Sequence, residues 1–200
     1  MAFDRRAIRK IEGVTFSKLL GCGRGATFTP SDTDFHRWGL LLCVAEDDLD
    51  SLDRSSAIQR WKRNSESEFR TVLDPISSHG LWSNSQPFGL SAATHAHDQP
   101  VIAITRARIA PRHYLTFLKA VPRVVKHLHS APGLIQAFGI GEAPIGLQGT
   151  FSMWRDEASL LNFAFQDSAH KEVIMGSQRE KWFSEELFAR FAIREIRGSL

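Results

Sequence analysis

The 200-residue chain is 42% apolar and carries 25 basic against 22 acidic residues, a net charge of +3. The two signs are interleaved, so this small surplus implies no nucleic-acid partner. Two cysteines exclude a disulfide scaffold and read as reduced thiols, and the longest apolar run, Gly39 to Ala45, is too short to cross a bilayer.

Taken in order, Met1 to Arg6 is polar and helix-like, and Asp4 to Ile11 reads as the end of a helix. No charged-then-apolar leader opens the chain, so a cytoplasmic location is expected. Val14 to Leu20 is a strand ending in Gly21-Cys22-Gly23, and Trp38 to Val44 is a second strand beyond a loop containing Pro30. Glu46-Asp47-Asp48 places carboxylates at a positive helix N-terminus. The helix that follows carries Ser55 to Ile58 and closes on Arg60-Trp61-Lys62-Arg63. That cluster reads as a solvated helix end, with acidic lipid headgroups as the alternative contact. Glu68 to Leu73 is the next strand, and residues 77–100, rich in Ser, Gly, His and Pro, read as a long connection.

Val101 to Ile109 alternates as a strand, with Ile102, Ile104, Arg106 and Arg108 sharing one face. Pro111 opens a helix with Tyr114, Phe117, Leu118, Val121, Val125 and Leu128 on one side, and Pro122 is expected to kink it. Strands at Leu134 to Phe138 and Gly149 to Trp154 follow. A helix through Asp167-Ser168-Ala169-His170 then returns to a last strand, Glu186 to Phe191.

The order of elements repeats. Strand, glycine pair, proline loop, strand, acidic helix start and closing strand occur once before residue 76 and again after residue 134. In this alignment Ile58 stands in the place of His170. The expected fold is α+β, with tandem ferredoxin-like halves forming an α+β barrel. A partial first half covers 1–76, a connection 77–100 and a second half 101–200. The first half lacks its opening strand, so a partner or another segment is expected to complete the sheet, or the start lies inside a longer natural chain.

Three residues carry candidate chemistry. His170, with Val173 and Ile174 on the same side of its helix, could give one ring nitrogen to a haem iron, or could be a core-edge histidine bonded to backbone. Trp182 could wall an apolar pocket and Arg190 could clamp a propionate; the structural alternative is a core tryptophan and a salt bridge to Glu185 or Glu186. Fourteen Phe and five Trp suit either a deep core or an apolar pocket. Elsewhere, Gly21 to Gly25 has GxGxG spacing but no helix start where a phosphate cradle needs one, and reads as a tight turn or a pocket rim. Cys22 as a thiolate ligand is a further alternative. His95 and His97 could begin a zinc site but lack further ligands at a recognisable spacing, and His127 and His129 are surface residues.

Several stretches together resemble the spheroidene monooxygenase family of carotenoid ketolases. They are Lys18 to Gly25 with Phe28-Thr29-Pro30, Gly139 to Pro144, Gln148 to Trp154, His170, and Trp182 to Phe191. More distantly, Trp154 with Ser168-Ala169-His170 is similar to dimeric α+β barrel monooxygenases, both haem-degrading and antibiotic-biosynthesis types. The resemblance covers nearly the whole chain. It implies a haem-dependent oxygenase taking O2 and electrons from a ferredoxin-type donor to oxidise a terminal methylene of an acyclic carotenoid. It makes His170 the axial iron ligand and places Trp182 and Arg190 at the pocket. A non-catalytic haem- or apolar-ligand-binding barrel stays as the alternative. A homodimer and a peripheral membrane contact are left open, the latter because of the solubility of carotenoids. The first half departs from the family's pattern at its missing strand, and its residues do not identify a substrate.

Overall fold

The computed structural model describes residues 4–90, 96–143, 145–166 and 180–199. His170 and the Ser168-Ala169 pair before it lie outside the described residues, as do His95 and Pro144.

Seven strands form one curled antiparallel sheet: β1 (Val14–Gly23), β2 (Thr33–Val44), β3 (Phe69–Gly80), β4 (Val101–Ile109), β5 (Leu134–Gly141), β6 (Leu147–Trp154) and β7 (Phe183–Gly198). The helices are α1 (Arg5–Arg9), α2 (Leu49–Arg54), α3 (Ser56–Asn64), α4 (Tyr114–Ser130) and α5 (Glu157–Gln166). The strand order is β2-β1-β5-β6-β4-β7-β3. Its central run β5-β6-β4-β7 is the ferredoxin-like order expected of the second half. The first half supplies the pair β2-β1 at one end and β3 at the other. A short joint, Gly21 opposite Gly141 and Cys22 opposite Ile140, links β1 to β5, while β3 pairs with β7 from Phe69 to Gly80. By the order of the second half, the opening strand of the first would stand between β2 and β3. Those two strands are the edges of the sheet.

β3 runs seven residues past the strand end expected at Leu73, because Leu187 to Ala192 of β7 lie alongside as partners for Asp74 to Gly80. α4 stays one 17-residue helix through Pro122, whose side is exposed, while Val121, Val125 and Leu128 hold the opposite side against the sheet. Ser55 caps α3, its hydroxyl accepting from the Ile58 amide.

Period-two alternation gives the sheet two apolar faces, and each belongs to a separate core. The concave face gathers Leu20, Ile102, Ile104, Phe138, Leu187 and Phe191 into one cluster. The convex face packs Val101, Ala103, Ala137 and Trp154 against Leu128 of α4 and Leu160 of α5. This settles the facing of the last strand: Leu187, Ala189 and Phe191 look inward, and Phe188 and Arg190 look toward the helices. Gly149 stands opposite Arg106, and a Cβ there would lie 2.2 Å from the Thr105 carbonyl oxygen. Only glycine lets β6 approach β4 so closely.

Candidate active site

At one end of the concave face Arg106 projects inward, 3% exposed. Its Nε and Nη2 donate to Glu142 Oε1 at 3.2 and 3.0 Å, and its Nη1 donates to Glu185 Oε1. Lys18 Nζ meets the second Glu142 oxygen at 2.5 Å. Trp82 completes the group: its ring nitrogen donates to Glu142 Oε1 at 2.8 Å, and Lys18 and Arg106 lie 5.7 and 5.9 Å from its ring centroid. Two cations and two carboxylates thus come from β1, β4, the end of β5 and the start of β7, with a third cation, the exposed Arg108, 3.9 Å from Glu185. Burial alone would raise the pKa of Glu142, but hydrogen bonds from Lys18 and Trp82 and the two nearby cations outweigh it. The carboxyl titrates below its ordinary range. Glu185 is lowered in the same way, against burial, by the amides of Asn84 and Ser83 and by Arg106.

The concave cluster beyond these charges is aromatic and aliphatic. Phe138 stacks on Phe151 at 4.9 Å, and Phe88 meets Phe191 edge-on at 5.0 Å. Cys22 and Cys43 line it. Burial pushes both thiols up to about 11, so the free thiols stay protonated at neutral pH. Among the described residues no group of three His, Cys, Asp or Glu side chains could hold a metal ion.

Arg190, one of the three residues singled out from sequence, lies on the convex face. Its Nη1 meets Glu157 Oε1 at 2.5 Å, and its Nε donates to Ser77 Oγ at 2.7 Å. Its carboxylate partner is therefore Glu157, at the start of α5, and neither Glu185 nor Glu186. Glu157 also holds His97 Nδ1 at 2.6 Å. Trp182 is buried where β7 begins; its indole donates to Glu180 Oε2, and its carbonyl accepts from the Ala110 amide. The structure thus places Trp182 beside the end of β4 and Arg190 beneath the start of α5. His170 lies outside the described residues, four positions past the end of α5.

The glycine loop after β1 is not a phosphate cradle. The amides of Gly25, Thr27 and Phe28 all donate to Asp32 Oδ2, at 3.1–3.2 Å, so the chain's own carboxylate fills the nest. Gly25 has φ +88°, and a Cβ there would lie 2.4 Å from the Ala137 oxygen, so the turn requires glycine.

A spheroidene monooxygenase from Rhodobacter capsulatus is 33% identical over 202 residues, covering all of this chain and 83% of that protein. The chain belongs to the spheroidene monooxygenase family. It is a monooxygenase, hence an oxidoreductase. A second family member, from Cereibacter sphaeroides, is 29% identical over 96% of this chain and 60% of its own length. A solved structure from Fusobacterium nucleatum, described as a candidate monooxygenase, aligns over 99% of this chain and 85% of its own. Its identity is 12% and its TM-score 0.47. No protein-family model matches the chain.

Within this family member, sequence reasoning missed the charge cluster. Glu142 and Lys18 were in view only as parts of motifs, and Trp82 sat inside the stretch read as a connection. The inward alternation of Arg106 with Ile102 and Ile104 was the one local signal of it.

Proposed function

We propose that this monooxygenase acts on an acyclic carotenoid or a similarly long apolar molecule, oxidising a terminal methylene with electrons from a ferredoxin-type donor. The observation that carries the reading is the concave apolar cluster, drawn from β1, β4, β5 and β7, in a chain of this family. A ligand without hydrogen-bonding groups is held there by leaving water, at about 25 cal/mol per Å2 of apolar surface buried. Overall, one atom of O2 enters a C–H bond and the other leaves as water, consuming two electrons and two protons. A second insertion at the same carbon gives a geminal diol, which loses water to form the ketone.

We propose haem as the cofactor, with His170 as the iron ligand. Among the described residues, the cation singled out for a haem propionate, Arg190, already holds Glu157. The proposal therefore stands on His170. Bound haem would supply oxygen activation, and this chain's own residues would orient the substrate and exclude water. Arg190 could take a propionate only if Glu157 yields its place, and Trp182 would remain a wall residue.

No described helix is long and apolar enough to cross a membrane. The reading includes a cytoplasmic protein in peripheral contact with a membrane, supported by Phe35 and Trp38, 78% and 47% exposed on edge strand β2. A homodimer formed through a sheet edge must use β2 or β3.

Purified protein given haemin should show a Soret band that His170→Ala abolishes or shifts; an absent band or an unchanged spectrum refutes the haem assignment. Incubation with an acyclic carotenoid, reduced ferredoxin and O2 should yield a hydroxylated or ketonic product. Its absence from haem-loaded protein sinks the substrate assignment.

A further inference from the structure

After β3 the chain turns back across the concave face as an irregular strap, residues 81–90. Only two of its side chains are buried, Trp82 fully and Phe88 at 8% exposure, while Ser83, Asn84, Ser85 and Gln86 face solvent. The two rings both contact Phe16, at 5.7 and 6.4 Å between centroids, and Phe88 also meets Phe191. They occupy the same apolar hollow that an internal substrate would need.

The strap is tied at few points. The Leu81 amide donates to the Glu186 carbonyl, and a single bridge joins Trp82 to Ser85. The tip has left-handed backbone at Ser83 and Asn84, φ 56° and 59°, and asparagine tolerates this far better than serine. Glu185 receives the amides of those two residues, at 3.1 and 2.6 Å. Glu142 receives the Trp82 indole, and Lys18 Nζ reaches Ser83 Oγ at 2.5 Å. The buried charge cluster is therefore also the strap's anchor.

Away from the strap the same face continues apolar but less covered. Leu41, Cys43, Leu73, Phe151, Met153 and Ile193 are half-buried and pack against the buried cluster. The hollow thus has a sealed end under Trp82 and a half-open remainder near edge strands β2 and β3.

We propose that the strap is a displaceable plug. The apolar substrate of the preceding section replaces the Trp82 and Phe88 rings against Phe16 and Phe191, and the carboxylates of Glu142 and Glu185 latch the strap until it does. The inference rests on that reading for the substrate's chemistry. A segment held by two rings and a few hydrogen bonds opens at lower free energy than the paired strands around it. A ligand that must wait for opening binds with its affinity reduced by the open fraction. Weakening the plug therefore tightens binding, whereas weakening an ordinary wall of the site loosens it.

The test follows an acyclic carotenoid in detergent micelles by its visible absorption, together with residue-resolved hydrogen exchange of the unmodified protein. At saturation the Ser83 and Asn84 amides should exchange about tenfold faster, and Phe88→Ala and Trp82→Phe should each bind the carotenoid several-fold to about tenfold more tightly. Binding with those two amides as protected as before overturns the plug and leaves the substrate reading intact. So does equal or weaker binding by both folded variants. Failure of all three proteins to bind the carotenoid overturns the substrate reading and the plug with it. The exchange measurement needs no variant, so misfolding of a substituted chain does not blunt the test.

Discussion

Arg106 and Arg190 stand on neighbouring strands of one sheet and face opposite ways. Inside, Arg106 has two carboxylate partners, and one of these also takes a lysine and an indole. Outside, Arg190 has one carboxylate among the described residues, shared with the outward-lying ring of His97, and a serine hydroxyl. The difference follows from water. A guanidinium sealed inside the curl needs its charge neutralised by the protein, whereas one at the edge of the helix layer leaves part of that work to solvent. The inner group is accordingly a paired, strap-holding cluster, and the outer pair ties the start of α5 to β3 and β7.

Removing one inner carboxylate should have the largest effect. Glu142→Ala leaves two buried cations short of a partner and should cost about 3–5 kcal/mol of folding stability. Urea unfolding checks this, and a loss below about 1 kcal/mol would mean the inner cluster is no better sealed than the outer pair. Acid should come next. Glu142 and Glu185 both have folded pKa values below the ordinary 4.5, so their contribution is complete above that value and is lost as pH falls through the folded ones. Thermal melting should be flat from neutrality to about pH 5 and drop below it, with a shallower drop in Glu142→Gln. A drop equally steep in that variant would move the acid sensitivity elsewhere.

The outer pair should matter less. Glu157→Ala should cost about 1–2 kcal/mol, because Arg190 keeps Ser77 and gains water; a cost matching that of Glu142→Ala would erase the contrast between the faces. The smallest effect on stability, and the finest probe of the concave face, is thiol chemistry. With both thiols pushed up to about 11, folded Cys22 and Cys43 should alkylate about a hundredfold more slowly than glutathione near pH 8, and at ordinary rates once unfolded. Rapid labelling of folded Cys22 would show that the buried end of the hollow is open.

Much of the architecture was legible beforehand from particular residues. The alternation of Val101 to Ile109 marked β4 and sorted its side chains onto two faces. The glycine pairs at Gly21-Cys22-Gly23 and Gly139-Ile140-Gly141 marked two strand ends, but that those strands pair with each other there was not legible. The extent of β3 was not legible. Pro75, Ser77 and Ser78 are poor strand formers, held in place only because β7 lies alongside. Trp82 and Phe88 were hidden for a related reason: a polar, turn-rich stretch reads as a surface connection, and nothing local says that two of its rings turn inward. Of the three proposed site residues, Trp182 is buried, as the core tryptophan given as the alternative to a pocket wall would be. The partner of Arg190 proved to be Glu157 in α5, not a neighbour on its own strand.

The sequence by itself determined the order of the described strands and helices and the family, because side-chain periodicity and short motifs are local properties. Tertiary structure alone decided which face of β7 turns inward, what covers the concave surface and which charges neutralise one another. Those choices join residues far apart in the chain, 124 positions for Lys18 with Glu142 and 79 for Arg106 with Glu185. The free energy of pairing buried charges depends on distance and exclusion of water in the folded sheet, neither of which is written in the order of residues.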